Sequence, residues 1–201
     1  MYIYGQLKRK YRKLGFLKYL YFLIRWRLVN FEEISGLISK EGNILDYGCG
    51  FGILANLLSL ESDRRKVFGY DVSEEAILCA SKTIEVNNIS FISKLKETDI
   101  KFKNIILVDV LHHIPYKKQK ETILKLKNLL SLNGRIIIQD IDKNCFPEYL
   151  IGYLIDIFRC GKKNIYYNTQ EELVNLLEKF EFEIDIVSKD KIGHLTLTAG
   201  L

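Results

Sequence analysis

Apolar and polar positions along this chain follow two rhythms. Five short runs, at 43–47, 66–71, 89–93, 104–109 and 135–140, carry apolar residues on consecutive positions, as in Ile105-Ile106-Leu107-Val108 and Ile136-Ile137-Ile138. Runs of this length belong to strands buried on both faces, the pattern of a parallel sheet covered by helices. Between them the spacing lengthens to three and four residues. It predicts helices over 53–60, 73–86 and 116–131, the last with Ile123, Leu126, Leu129 and Leu130 on one side. A very apolar stretch predicts a short helix at 147–158, and a further helix follows at 169–179. Runs at 182–187 and 194–199 predict two closing strands. Five strand-then-helix units followed by two strands predict an α/β fold, a doubly wound, mostly parallel seven-stranded sheet.

Capping signals sharpen some boundaries. Asn30 with Glu33 starts a short helix over 31–40, which Gly42 stops. Ser73 precedes Glu74 and Glu75, an N-cap followed by acids where the helix dipole favours them. Thr169 and Glu172 have capping-box spacing, and Asn133-Gly134 is expected to end the helix begun at 116.

The first thirty residues differ in kind. They hold Lys8, Arg9, Lys10, Arg12, Lys13, Lys18, Arg25 and Arg27 and no acid, which leaves 22 basic against 25 acidic residues in the remainder. The net charge of +5 is therefore a basic arm on a mildly acidic body. The arm is also apolar, with Leu14, Phe16, Leu17, Leu20, Phe22, Ile24 and Trp26 among others. Lys18 interrupts that run and no small-x-small cleavage site follows, which argues against a secretion signal. The eleven residues from 14 to 24 are too few for a span of about 20. The expectation is a helix that packs on the domain, with contact to anionic lipid or RNA as the alternative. The organisation expected is a helical arm or cap over 1–41 and a main domain over 42–201, with an apolar lid insertion at 142–168.

Composition narrows the class. A chain of 201 residues with 48% hydrophobic and 27% charged residues suits one globular domain and excludes disorder and collagen-like fibre. Cys49, Cys79, Cys145 and Cys160 show no CxxC spacing and no histidine at finger spacing. No structural metal is expected, and reduced thiols fit a cytoplasmic protein, with peripheral membrane contact as its variant.

The central chemical signal is Asp46-Tyr47-Gly48-Cys49-Gly50-Phe51-Gly52, a glycine-rich turn between the first strand and its helix. Glycines permit positive φ and bring bare backbone to a ligand, and the helix start offers N–H groups to an anionic moiety. A dinucleotide fingerprint would place its third glycine at 53, which is Ile53. The glycine stands at 52 instead, and Asp46 precedes the first. A carboxylate there repels pyrophosphate and suits a ligand bearing ammonium or sulfonium. Asp71 closes the second strand 21 residues after Gly50, placed to accept hydrogen bonds from a ribose diol.

This arrangement resembles the class I S-adenosylmethionine-dependent methyltransferases, and their small-molecule branch in particular. The match is D-x-G-x-G-x-G at 46–52, the acid at Asp71, and Asp109-Val110-Leu111-His112-His113-Ile114 after the fourth strand. The resemblance implies strand order 3-2-1-4-5-7-6 with the last strand antiparallel. It implies S-adenosyl-L-methionine as cofactor. Asp46, Gly48, Gly50 and Gly52 would line its methionine part, Asp71 would hold the ribose, Val72 would press on the adenine, and Asp109 would lie beside the sulfonium end. Two departures stand out: Ser93-Lys94-Leu95-Lys96 replaces an acid common after strand three, and Asn104 an acid common before strand four.

An acceptor oxygen of high pKa needs a base. The candidates are His112 and His113, at the carboxyl end of strand four; packing and capping are their other reading. Asp140 ends strand five at the same edge and, with Tyr149 and Tyr153 of the insertion, is a candidate for touching substrate. The chain lacks an Asn-Pro-Pro-Tyr tetrapeptide and a Pro-Cys motif. The expected acceptor is a small, hydrophobic or lipid-like molecule. An RNA substrate gripped by the basic arm is less expected, because that arm is too apolar for a solvated RNA-binding face. A cofactor-binding module without catalysis is the third reading.

Overall fold

The structure is a computed structural model, and it describes residues 2–95, 100–145, 165–190 and 193–201. In chain order these form α1 (Tyr2–Lys13), α2 (Phe16–Leu28), α3 (Phe31–Leu37), β1 (Gly42–Tyr47), α4 (Ile53–Glu61), β2 (Arg65–Tyr70), α5 (Glu74–Ser81), β3 (Ile89–Ile92) and β4 (Phe102–Val108). A single 3-10 turn at Leu111–His113 follows, then α6 (Tyr116–Lys127), β5 (Leu130–Ile141), α7 (Gln170–Glu178), β6 (Glu183–Lys189) and β7 (His194–Gly200). The seven strands run in the order β3-β2-β1-β4-β5-β7-β6. The chain divides into two compact units, residues 1–104 and 105–201.

In the first unit β1, β2 and β3 pair in parallel, with Ile44 opposite Val67 and Val67 opposite Ile89. Ile44, Leu45 and Val67 are fully buried, as consecutive apolar positions require. Ile53, Leu54, Ala55, Leu57 and Leu58 of α4 are buried too, so this helix lies inside the unit rather than along its surface. Arg65, at the start of β2, is buried as well. Its guanidinium donates to the carbonyls of Ser39 (2.8 Å), Leu58 (3.0 Å) and Ile38 (3.2 Å), and to Glu61 (2.9 Å). Carbonyls at helix ends have no partner within the helix. One side chain satisfies them at the ends of both α3 and α4.

The basic arm is two helices, not the single one expected. Gly15 adopts φ +102, a conformation that favours glycine, and ends α1 before α2 begins. The two helices meet through a cluster of rings: Phe22 stacks on Tyr11 at 4.7 Å, with Tyr4 at 5.9 Å and Trp26 at 5.4 Å. Tyr11 also donates its hydroxyl to the carbonyl of Phe51 (2.6 Å) and accepts from Asn56 Nδ2 (3.2 Å). Its ring fills space in the arm while its hydroxyl holds the glycine turn.

The predicted caps form. Asn30 Oδ1 accepts from the Glu33 N–H, Ser73 Oγ from the Ala76 N–H, and Thr169 with Glu172 closes a full capping box. Three helices stop short of their predicted ends, the first being α3, which ends at Leu37 rather than 40 while Gly42 opens β1. The chain leaves α5 at Ser81, where β-branched Thr83, Ile84 and Val86 follow. It leaves α6 at Lys127, and β5 starts at Leu130, five residues before the expected strand. Leu129 and Leu130 stay buried across the change, so the apolar spacing ran on past the helix end. Asn133, with φ +57, lies within β5 rather than at a helix stop.

In the second unit β7 pairs antiparallel with both β5 and β6. Ile141 at the end of β5 lies opposite His194 at the start of β7. The predicted helix at 147–158 and most of the expected insertion, with Tyr149, Tyr153 and Cys160, lie outside the described residues. Among those residues no helix is long and apolar enough to cross a membrane.

Candidate active site

The turn after β1 is built almost wholly from backbone. Gly48, Gly50 and Gly52 adopt φ of +80, +53 and +78. The N–H groups of Gly48 and Cys49 both donate to the Tyr70 carbonyl, at 2.7 and 2.9 Å, which ties the turn to the end of β2. Asp71 follows immediately. One carboxylate oxygen accepts from the Gly50 N–H and the other from the Ser73 N–H, each at 2.8 Å. A single side chain thus sets the glycine turn and the entry to α5.

The three glycines meet different surroundings. A Cβ on Gly50 would have only Tyr21 Oη within reach, at 3.6 Å, so bare backbone is presented there. A Cβ on Gly52 would lie 2.9 Å from both Ala80 and the ring of Phe91, and one on Gly69 would lie 2.6 Å from that ring. Packing of Phe91 therefore accounts for glycine at 52 and 69. Phe91 had no motif to mark it. The clue was a glycine in the middle of β2, where a close approach is the usual reason.

Asp46 points inward. It is buried, and its Oδ2 accepts from the Ala55 N–H at 3.1 Å, near the start of α4. Burial pushes its pKa up to about 7; the Ala55 bond opposes the rise and the charge of Asp71 adds to it. Cys49 is held protonated, because burial and then the charges of Asp46 and Asp71 drive its thiol far up. A thiol kept protonated is a weak nucleophile, and this one packs beside Gly69. Val72, next to Asp71, leaves 80% of its surface exposed.

The acids Asp46, in β1, and Asp71, after β2, repel each other across the glycine turn, and a cationic ligand relieves that repulsion. With open backbone at Gly50 and an exposed apolar side chain at Val72, the donor set fits a nucleoside that carries a sulfonium and an ammonium. It fits a pyrophosphate poorly.

The second unit carries its own cluster. Asp109 follows β4 with φ +54, a strained conformation for a side chain other than glycine, and its N–H donates to the Gln139 carbonyl (2.9 Å). Asp140 is buried and turned onto His112: Oδ2 accepts from the His112 N–H (3.1 Å) and Oδ1 lies 2.5 Å from Nδ1. Oδ1 also accepts from the Ile141 N–H. The His112 ring stacks on Tyr167 at 4.5 Å and meets His113 at 4.0 Å. Gln119 fixes the turn beneath by donating to the carbonyls of Leu111 and Ile114. His112 is buried, whereas His113 is half-buried.

In the sequence His194 opens the last strand and reads as a structural residue distant from the site. Instead Nε2 lies 3.9 Å from Asp109 Oδ1, and Nδ1 lies 3.2 Å from Asp190 Oδ2. The reason is strand direction. An antiparallel β7 starts where β5 ends, so its first residue arrives at the edge that carries Asp109 and Asp140. The order 5-7-6, already implied by the resemblance, held that signal.

The profile of a family described as "Methyltransferase domain" matches residues 16–187. The chain belongs to that methyltransferase family. Its members are class I enzymes whose methyl donor is S-adenosylmethionine. The chain is 29% identical over 182 residues to a release factor glutamine methyltransferase of Flavobacterium psychrophilum, covering 86% of this chain and 62% of that protein. It is 36% identical over 114 residues to a ribosomal protein L11 methyltransferase of Lactobacillus johnsonii, covering 54% of this chain and 34% of that protein. The chain thus spans less than two thirds of the length of these curated relatives.

Solved structures share the fold. Magnesium protoporphyrin IX methyltransferase from Synechocystis, determined with bound S-adenosylmethionine, has a TM-score of 0.65 at 20% identity over 85% of this chain and 77% of its own. An S-adenosylmethionine-dependent methyltransferase from Mesorhizobium loti has 0.67 at 18%, over 85% and 96%. Ser93, Lys94 and Leu95 follow β3 without an acid.

Proposed function

We propose that the protein transfers a methyl group from S-adenosylmethionine to a small, hydrophobic or lipid-like acceptor. The observation that carries the donor side is the Asp71 carboxylate, held at the open Gly50 backbone with the second carboxylate of Asp46 beneath. Asp46, Gly48, Gly50 and Gly52 would surround the methionine part, Asp71 the ribose and Val72 the adenine. Asp109 would face the sulfonium end. The sulfonium makes the methyl group electrophilic; the chain has to orient the acceptor and exclude water.

On the acceptor side, support comes from the pair His112 and Asp140. A buried carboxylate 2.5 Å from a ring nitrogen fixes the tautomer and orientation of that ring. His113, more exposed and packed on His112, would meet the acceptor and receive the proton of a hydroxyl as the new carbon–oxygen bond forms. His112 and Asp140 then act as positioning residues.

The curated relatives named above are methyltransferases of proteins, which makes a protein acceptor the second reading. Against it stands the sequence after β4. Asp109-Val110-Leu111-His112 occupies the place where many amino-group methyltransferases carry Asn-Pro-Pro-Tyr. An aromatic, cation-flanked arm also suits an amphiphilic acceptor met at an anionic membrane surface. The test is incubation of the protein and methyl-labelled S-adenosylmethionine with an extract of its native cell, followed by partition into organic solvent. Label in the organic phase is the expected result. Label confined to polypeptide or RNA would overturn the acceptor reading while leaving the donor intact.

A further inference from the structure

We propose that the outward face of α2 docks the protein on an anionic lipid bilayer. This goes beyond the acceptor reading, because the surface would hold the protein at a membrane whatever molecule is methylated.

The argument starts from helix geometry. At 100° per residue, Phe16, Leu17, Leu20, Ile24 and Leu28 fall within an arc of about 120°. Buried Phe22 and the ring cluster around it lie on the opposite side. The arc is bare. Phe16 and Leu17 leave 75% and 73% of their surface exposed, Ile24 48%, Leu20 40% and Leu28 38%. Five large apolar side chains in one exposed stripe are more than scattered surface leucines.

Charge decides what covers the stripe. Arg9, Lys10, Arg12 and Lys13 are exposed on the last turns of α1, next to Gly15, and Arg27 is exposed on α2. The first thirty residues contain no acid to neutralise them. An apolar stripe beside a block of cations is the composition of a helix lying in a membrane interface, with its apolar side in the acyl boundary and its cations at anionic headgroups. The helix is only 13 residues long and cannot span, so it lies on the bilayer. A fully solvated RNA face would not show five bare apolar side chains.

A flank of the same helix, bordering the stripe, meets the glycine turn. Tyr21 packs edge-on against Phe51 at 5.0 Å, and Lys18 lies 5.6 Å over that ring. A membrane-bound α2 therefore holds the cofactor turn within about one helix diameter, roughly 10 Å, of the lipid surface.

The test is co-sedimentation of the full-length protein with vesicles of phosphatidylcholine mixed with phosphatidylglycerol, and with phosphatidylcholine alone, at rising salt. Binding to the mixed vesicles that weakens with salt is expected. Arg12→Gln with Lys13→Gln is expected to weaken it roughly twenty-fivefold, as each cation near such a surface is worth about fivefold. Leu17→Ser with Ile24→Ser is expected to weaken it about tenfold or more, with melting temperature and S-adenosylmethionine affinity unchanged because both side chains face outward. Absence of binding to mixed vesicles would overturn the proposal. So would undiminished binding of the Leu17/Ile24 variant. Salt-sensitive binding of RNA instead of vesicles, or a dimer that this variant dissociates, would assign the face to RNA or to a second copy and overturn it equally.

Discussion

Asp71→Asn tests the geometry of the cofactor turn most directly. The carboxylate accepts two backbone N–H bonds of 2.8 Å, one from Gly50 and one from Ser73. An asparagine keeps one carbonyl oxygen and turns an NH₂ group toward the other N–H, so one bond is lost and two donors are opposed. A hydrogen bond to a charged group is worth about 1.5–3 kcal/mol. Asp71 is only half-buried, so solvent screens part of that, and the cofactor-free protein is expected to lose about 1–2 kcal/mol. For a chain of this length that is roughly 2–8 °C in melting temperature. Affinity for S-adenosylmethionine is expected to fall a further tenfold or more, since the charge that would accept the ribose hydroxyls has gone. Thermal melts without cofactor and calorimetric titration with it read the two effects separately. A variant with unaltered melting temperature would refute the bracing role. A lowered melting temperature with unaltered affinity would refute the binding role and leave Asp71 a brace alone.

Other expectations follow from the same contacts. Asp46 keeps its proton to about pH 7 in the folded chain against 3.8 for the free side chain. The folded state therefore binds the extra proton, and the contribution of Asp46 to stability is greatest below about pH 4 and declines as pH rises to 7, by at most about 1.4 kcal/mol per unit. Asp46→Asn should remove that slope, and urea unfolding at pH 5 and 7 that shows equal slopes for both proteins would contradict it. Arg65→Ala should cost about 3–5 kcal/mol by urea unfolding, because it removes the ion pair with Glu61 and strands several buried helix-end carbonyls, and Arg65→Lys should recover only part of it. If His113 receives the acceptor proton, Asp140→Asn should lower turnover roughly ten- to a hundredfold while leaving the S-adenosylmethionine affinity intact. Unchanged turnover across the pH range would remove His112 and Asp140 from the mechanism.

Much of the architecture was legible because it follows from consecutive burial. Ile44-Leu45, Ile105–Val108 and Ile136–Ile138 admit little besides central strands, and the glycine turn fell where strand and helix meet. The caps at Asn30, Ser73 and Thr169 were legible because a side-chain oxygen and an N–H three residues on form a local pair. What escaped the sequence was backbone geometry and contacts between distant segments. Gly15 divides the arm by its backbone angle, which composition does not encode. Leu129 and Leu130 continue a helical spacing although the chain has already left the helix, since burial constrains both states alike. His194 owes its place to the direction of a strand 54 residues after Asp140, and Arg65 owes its importance to helix ends that come together only on folding.

The Tyr11 hydroxyl has a practical consequence for anyone reshaping this protein. It joins the first helix to Phe51 and Asn56, in the turn that would receive the nucleoside and in the helix behind it. A shortened version starting at residue 42 would keep every glycine and both acids of the motif, yet leave the Phe51 carbonyl and Asn56 amide without Tyr11 and the Phe51 ring without Tyr21 and Lys18. Such a fragment would carry the whole motif and behave as a damaged protein at the bench, so the helical arm belongs in any minimal unit of this protein.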